Sequence, residues 1–369
     1  MERAPRILFA GGGTGGHVYP AIAIADAIRA LEPEAALEFA GTQDHLEWRA
    51  VPKAGYAIHP ITVSGFHRKR PLRNLSFPFK LMKGLLQSWY LVADFDADVA
   101  VGTGGYVSGP VLMAASWRKR PIIVQEQNAY AGMTNRLLAK RAAQIHIAFP
   151  AAKQAFPPEK CRLSGNPTRE ELRHAARPAA RAAFDVPEEA SLLLVFGGSL
   201  GSAALNAAME AHVRTLLADE NVYVIWQTGA LYFEEVHARV DAHPRLRLLK
   251  YIDRMDLAYA AADLALCRAG AITCSELMVT ATPAVLVPSP NVAEDHQTRN
   301  AHSMADAGAA MLIPEGQLKE ALVEEAPALL RDASRRTQMA SAARELARPD
   351  AAERIARDVL KLAGWRDKQ

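Results

Sequence analysis

His17 closes the segment Gly11-Gly12-Gly13-Thr14-Gly15-Gly16-His17, which follows an apolar run at residues 6–10 and precedes an Ala/Ile-rich stretch at 18–31. Glycines let a backbone approach a ligand closely, and a helix N-terminus turns unpaired N–H groups and positive potential toward an oxyanion. An imidazole at that helix start is expected to stay neutral and to accept a proton. Gly11, Gly13 and Gly16 also match G-x-G-x-x-G, the dinucleotide fingerprint. That fingerprint asks for an acid ending the second strand, and here the strand ends Phe39-Ala40-Gly41-Thr42, so the match is weak. A second candidate for proton transfer is Glu126, which ends the apolar run 122–125 and is expected to face a crevice. The same carboxylate could instead orient Asn128 or a helix N-terminus.

Two further glycine clusters also follow apolar runs. Gly197-Gly198-Ser199-Leu200-Gly201-Ser202 offers a hydroxyl and adjacent amides suited to a diphosphate, although a tight turn alone would also explain its glycines. The other is Gly102-Thr103-Gly104-Gly105-Tyr106-Val107-Ser108-Gly109-Pro110. Asp94-Phe95-Asp96-Ala97-Asp98 has the form of a D-x-D metal motif, but its acids precede a strand and so belong to the end of the sheet opposite the glycine clusters. They are expected to form a solvated loop, and no metal or cofactor is called for. Cys161, Cys267 and Cys274 contain no C-x-x-C pair and read as buried thiols.

The elements that must position these groups fall into two series. Apolar runs at 6–10, 37–40, 58–63, 99–102, 122–125 and 145–148 alternate with helix-period segments, and the pattern restarts at 192–196, 222–226, 246–249, 264–267, 284–287 and 311–313. Continuous apolar strands separated by helices predict α/β domains with doubly covered parallel sheets. The 369 residues, half of them hydrophobic, suffice for two such domains. The boundary is expected at Ser164-Gly165-Asn166-Pro167, giving domains 1–164 and 165–345, with a last helix at 346–369 that crosses back to the first domain. A formal net charge of +3 is too small for a nucleic-acid-binding footprint. No apolar run is long enough to span a bilayer and no signal-peptide core follows the N-terminus, so a cytoplasmic location is expected. Between Glu47 and Asp94 there is no acid, and residues 66–89 interleave cations with Leu and Phe. Arg68, Lys69, Arg70, Leu75, Phe77 and Phe79, extended by Trp117, form a candidate contact with an anionic membrane surface.

Taken in order, Gly12-Gly13-Thr14-Gly15-Gly16-His17, Gly104-Gly105-Tyr106-Val107-Ser108-Gly109-Pro110, Glu126-Gln127-Asn128, Gly165-Asn166-Pro167, Gly197-Gly198-Ser199 and Arg268-Ala269-Gly270-Ala271 with Ser275-Glu276 resemble the bacterial MurG-type glycosyltransferases along nearly the whole chain. The resemblance implies the GT-B fold, two Rossmann-like domains facing a central cleft. It also implies inverting transfer of N-acetylglucosamine (GlcNAc) from UDP-GlcNAc to the 4-hydroxyl of the MurNAc-pentapeptide on undecaprenyl pyrophosphate (lipid I), giving lipid II for peptidoglycan at the cytoplasmic face of the inner membrane. His17 or Glu126 would be the base. Thr14, Gly15, Gly16, Asn128, Arg169, Gly198, Ser199, Ile252, Glu276, Gln297 and Asn300 would hold the donor: Arg169 near the diphosphate, Ile252 at the uracil edge, Glu276 on the ribose, and Gln297 and Asn300 at the sugar. Gly13, Thr14, Gly104, Gly105, Tyr106 and Ser108 would hold the acceptor pyrophosphate. The sequence departs from the family pattern at Leu200, where a donor-contacting Gln is usual, and in Leu277-Met278-Val279-Thr280-Ala281-Thr282-Pro283, which lacks the usual glycine. A soluble UDP-GlcNAc 2-epimerase, another GT-B sugar-nucleotide enzyme, or a non-catalytic UDP-sugar-binding protein are the competing readings. The acid-free basic segment argues against the epimerase, and the presence of both His17 and Glu126 argues against the binding protein.

Overall fold

A computed structural model describes residues 3–65 and 76–365. The chain divides into two compact units, Met1–Thr168 with Asp350–Gln369, and Arg169–Pro349. In the first unit the elements run β1 (Arg6–Gly11), α1 (Gly15–Leu31), β2 (Ala36–Gly41), α2 (Glu47–Lys53), β3 (Ala57–Pro60), α3 (Phe77–Asp94), β4 (Val99–Gly104), α4 (Ser108–Trp117), β5 (Ile122–Glu126), α5 (Met133–Leu138), β6 (Gln144–Ile147) and β7 (Cys161–Leu163). In the second they run α6 (Arg177–Ala183), β8 (Ser191–Phe196), α7 (Ala203–Leu217), β9 (Val222–Gln227), α8 (Phe233–Arg239), β10 (Leu246–Leu249), α9 (Met255–Ala261), β11 (Leu264–Cys267), α10 (Ala271–Thr280), β12 (Ala284–Leu286), α11 (His296–Ala305), β13 (Ala310–Leu312), α12 (Leu318–Glu320), α13 (Ala326–Arg331) and α14 (Ala333–Leu346). The final helix, α15 (Ala351–Leu362), belongs to the first unit.

The described strands pair in parallel, in the order β3-β2-β1-β4-β5-β6-β7 in one sheet and β10-β9-β8-β11-β12-β13 in the other. Both orders reverse direction at the first strand of their unit, between β1 and β4 and between β8 and β11. Such a switch point opens a crevice at the carboxyl ends of the strands. Each glycine cluster sits there because it is the turn that ends β1, β4 or β8. The apolar runs are continuous because both faces of each sheet are covered: Leu8, Ala10, Ala100 and Val124 pack on one side of the first sheet, and Ile7, Phe9, Val99 and Val101 on the other.

Two departures from the expected elements, in β3 and β7, have local causes. β3 stops at Pro60, before the expected end at 63, because its partner β2 ends at Gly41, whose carbonyl takes the last bond from the Ile61 N–H at 2.8 Å. β7 was not anticipated: it is three residues long, with Arg162 and Leu163 exposed, and exists by pairing its backbone with β6. On α15, Ile355, Ala356, Val359 and Leu360 are fully buried against the α1 side of the first sheet, together with Val18, Ile24 and Ile28. At about 1.5–3 kcal/mol per large aliphatic side chain, that burial is ample to hold the helix there.

Candidate active site

In the first unit the turns after β1 and β4 interlock. The Gly12 N–H reaches the Gly104 carbonyl at 3.4 Å. Gly105 has φ +81°, and a Cβ there would lie 2.2 Å from the Gly12 carbonyl oxygen, so this approach requires glycine. Thr103 Oγ1 donates to the His17 carbonyl at 2.7 Å and pins the first turn of α1 to the end of β4. His17 Nδ1 lies 3.0 Å from the Thr103 carbonyl oxygen and 3.0 Å from Gln127 Oε1. The imidazole is therefore seated at the switch point, and it is partly exposed.

The anion cradle expected here is reduced by internal bonds. Gly13 N–H donates to Glu47 Oε2 at 3.0 Å, and the other Glu47 oxygen accepts from the Thr42 N–H and hydroxyl at 3.1 and 2.6 Å. Gly104 N–H donates to Ser108 Oγ at 3.1 Å, while that buried hydroxyl lies 2.8 Å from the Ala10 carbonyl and 2.6 Å from the Gly104 carbonyl. Gly13, Gly104 and Ser108 thus help hold the turns together, and Gly13 is exposed. Thr14, Gly15, Gly16, Gly105 and Tyr106 remain at least partly accessible, with Tyr106 58% exposed. Glu47 went unnoticed in the sequence, where its only signal was its place as the last acid before a long cationic stretch.

Glu126 is buried, and the segment that follows it supplies its hydrogen-bond donors. Oε1 accepts from the Asn128 N–H at 3.0 Å and from Asn128 Nδ2 at 3.4 Å, and Oε2 from the Gly132 N–H at 2.9 Å and Asn135 Nδ2 at 2.8 Å. The carboxylate winds the β5–α5 connection around itself. Of the alternatives open in the sequence, this geometry favours the orienting role. Asp94, Asp96 and Asp98 lie at the opposite end of the sheet: Asp96 pairs with Arg3 and, at 2.7 Å, with Arg120, and Asp98 binds Arg3 at 2.6 Å and the Arg6 N–H at 2.9 Å. Among the described residues, no group of three or more His, Cys, Asp or Glu could hold a metal ion.

In the second unit, Ser202 caps α7, accepting from the Leu205 N–H at 3.4 Å. Gly198 and Ser199 stand exposed just before it. Gly201 has φ +87°, and a Cβ there would lie 2.0 Å from the Thr228 carbonyl oxygen. Arg268, at the end of β11, joins three turns: its guanidinium donates to Ser202 Oγ at 2.7 Å, to the Val287 and Pro288 carbonyls at 3.1 and 3.2 Å, and pairs with Glu315. Glu276 on α10 is 8% exposed, with Tyr259 OH on Oε2 at 3.0 Å and Arg169 Nη2 on Oε1 at 3.4 Å. Burial raises its pKa above the ordinary carboxylate value, against the pull of Arg169 and Tyr259.

Other expected donor contacts also brace the turns of this unit. Asn300 is wholly buried and donates to the Ala269 carbonyl at 3.1 Å, so it supports the Arg268-Ala269-Gly270 turn. Gln297 Oε1 accepts the Ser289 N–H at 2.9 Å. The Ile252 N–H is taken by Gln227 Oε1 at 2.9 Å, while Gln227 Nε2 holds the Gly198 carbonyl at 3.0 Å. Arg268, Tyr259 and Gln227 were not singled out for these roles, because their partners are distant in sequence. Glu294 and Asp295 before α11 adopt left-handed φ values of 57° and 50°, a strained pair of the kind that gathers at ligand sites. Leu200 is 63% exposed.

Of the membrane candidates, Arg68, Lys69, Arg70 and Leu75 lie outside the described residues. Phe77 is half-buried, whereas Phe79 is 75% exposed. Phe79, Met82, Leu86 and Tyr90 form one exposed stripe on α3 at helical spacing, with Lys83 among them. Trp117 is exposed at the end of α4, and the adjacent Arg118 stacks 4.3 Å from the Trp89 ring on α3. Met82 and Tyr90 were not picked out in the sequence. No helix of the described residues is long and apolar enough to cross a membrane.

Two Rossmann-like parallel-sheet domains with glycine turns at their switch points are the architecture of GT-B glycosyltransferases. Residues 7–147 match the N-terminal domain of glycosyltransferase family 28 and residues 192–355 its C-terminal domain, and the chain belongs to that family. A Salinibacter ruber protein named UDP-N-acetylglucosamine–N-acetylmuramyl-(pentapeptide) pyrophosphoryl-undecaprenol N-acetylglucosamine transferase is 62% identical to it over 98% of each chain. A Flavobacterium psychrophilum protein of the same name is 40% identical over 97% of each. The crystal structure of Acinetobacter baumannii MurG aligns with a TM-score of 0.79 at 31% identity, covering 97% of this chain and 99% of that one. A Listeria monocytogenes structure described as a UDP-N-acetylglucosamine 2-epimerase aligns with a TM-score of 0.70 over 99% and 98% of the chains, at 16% identity, which is a likeness of fold alone.

Proposed function

We propose that the protein is an inverting glycosyltransferase that moves GlcNAc from UDP-GlcNAc to the 4-hydroxyl of the MurNAc-pentapeptide of lipid I, forming lipid II. The observation that carries this reading is the identity of 62% along essentially the whole length of a relative named for that reaction. A shared fold does not decide function, so the epimerase likeness carries no comparable weight.

In this mechanism the first unit, with α15, handles the acceptor, and the second handles the donor. His17 Nε2 takes the proton of the acceptor 4-hydroxyl as its oxygen attacks the anomeric carbon of GlcNAc. The new C–O bond forms as the bond from that carbon to the UDP β-phosphate oxygen breaks, and UDP departs with the electron pair. Ser199, Gly198 and the N-terminus of α7 meet the diphosphate, with Arg169 supplying positive charge. Glu276 holds the ribose hydroxyls and the Ile252 carbonyl meets the uracil edge, while Gln297 and Asn300 shape the sugar pocket through the turns they brace. Thr14, Gly15, Gly16, Gly105 and Tyr106 meet the acceptor pyrophosphate, and Asn128 extends the site from the Glu126-centred connection. No metal is required, because helix ends and an arginine serve the leaving diphosphate.

The acceptor's polyprenyl chain stays in the bilayer, so the enzyme works as a peripheral protein at the cytoplasmic face of the membrane. The exposed stripe of α3, Trp117 and the cations of 68–70 support that reading. Purified protein given UDP-GlcNAc and a lipid I analogue should form lipid II. His17→Ala should lower kcat by about 100-fold or more while leaving UDP-GlcNAc affinity nearly intact. Conversion of UDP-GlcNAc to UDP-N-acetylmannosamine, or its hydrolysis by water to free N-acetylmannosamine and UDP, without transfer would refute the reading.

A further inference from the structure

The surroundings of His17 leave its ring one tautomer. Nδ1 lies 3.0 Å from both the Thr103 carbonyl oxygen and Gln127 Oε1. The orientation of the Gln127 amide follows from its other end, where Nε2 lies 2.6 Å from the Thr103 carbonyl and 3.2 Å from the Gln125 carbonyl and also contacts Gln125 Oε1. Carbonyl oxygens only accept, so the NH2 group belongs at that end and Oε1 faces the ring. Nδ1 then meets two acceptors and carries the hydrogen, which leaves the ring lone pair on Nε2.

The amide is held in turn. Gln125 Nε2 donates to Asn166 Oδ1 at 2.9 Å, and Asn166 Nδ2 donates to the Gln127 carbonyl at 3.0 Å. Gln125, Gln127 and Asn166 are 0%, 1% and 2% exposed, so none can turn without stranding a buried polar group. We infer that Gln127 is a positioning residue that, with the Thr103 carbonyl, fixes His17 as the Nδ1–H tautomer and aims Nε2 at the acceptor hydroxyl. The inference rests on the reading of His17 as the base. A neutral amide suits this position because it orders the ring as a carboxylate would, without adding a negative charge that would hold the ring protonated at neutral pH.

The experiment uses the full-length protein. In the parent, long-range 1H–15N spectra, with His17 identified by the loss of its signals in His17→Gln, should show the neutral ring protonated on Nδ1. Gln127→Met keeps the length of the side chain and removes the acceptor. It should lower kcat about tenfold at an unchanged KM for UDP-GlcNAc and move the acid limb of the kcat/KM profile to lower pH by about half a unit, because a charge-assisted bond to the imidazolium is lost. Gln127→Glu restores the acceptor and should return that limb to the parent's position or above it. A residue that merely supports the fold would leave the limb where it was. A ring protonated on Nε2 in the parent, or an acid limb unmoved in Gln127→Met, overturns the inference. Full activity in His17→Ala would instead remove His17 as the base, while the spectra still report what Gln127 does to its ring.

Discussion

Glu126→Gln separates two roles that are chemically distinct. Each carboxylate oxygen accepts from two donors: Oε1 from the Asn128 N–H and Nδ2, Oε2 from the Gly132 N–H and Asn135 Nδ2. Glutamine has the same shape, but whichever way its amide turns, an NH2 group faces one of these donor pairs. Two hydrogen bonds to a charged acceptor are lost and two donors lose their partner. At about 1.5–3 kcal/mol for each such bond, the variant should be destabilised by about 3–6 kcal/mol. The unfolding midpoint should fall by about 10 °C, on the order of 2–4 °C for each kcal/mol in a domain of this size. Loss of kcat should follow this loss of order, and Asn135→Leu, which leaves the carboxylate but removes one donor, should show part of the same destabilisation. The assays are thermal unfolding monitored by near-UV circular dichroism and initial rates of lipid II formation. A variant that melts with the parent yet loses kcat by several orders of magnitude would refute the argument and make Glu126 a chemical participant.

Glu276→Ala should weaken UDP and UDP-GlcNAc equally, by about 10- to 100-fold in calorimetry, if the carboxylate holds the ribose; a loss confined to UDP-GlcNAc would move it to the sugar. Replacing Arg68, Lys69 and Arg70 by Ser should lower partitioning onto anionic vesicles by about 100-fold at low salt and less at high salt, at about 1 kcal/mol per cation. Phe79→Ser with Leu86→Ser should weaken the same partitioning at every salt concentration, and retention of parental binding by both variants would rule out this face. Burial lowers the His146 pKa to about 4, with Ser164 on Nδ1, Asp358 3.7 Å from Nε2 and Arg162 nearby. The unfolded chain then binds more protons between pH 6.5 and 4, so stability should fall by about 3 kcal/mol as pH drops through that window. His146→Gln should flatten that slope in urea unfolding, and an unchanged slope would assign it to other groups.

The sequence by itself was enough for the architecture. Apolar runs interrupted by helix-period segments reported doubly covered parallel strands, since both faces of such strands are dry, and the series restarted where a second sheet begins. Glycine clusters after the runs marked the turns that close at the switch points, because close backbone approach excludes a Cβ, as at Gly105 and Gly201. The ordered motifs reported the family. What only tertiary structure decided is which polar groups remain available. Gly13 and Ser108 gave no sign in the sequence of their bonds to Glu47 and the Ala10 carbonyl, which hold the turns in place. The bonds of Asn300 to the Ala269 carbonyl and of the Ile252 N–H to Gln227 were likewise invisible in the sequence. His17 looked like a base at a helix start, but its tautomer depends on Thr103 and Gln127, far along the chain. Local sequence reports backbone conformation and burial, which are short-range properties. A buried hydrogen bond is a pairing between distant segments, and one donor shared with a second acceptor changes what a residue can offer a ligand.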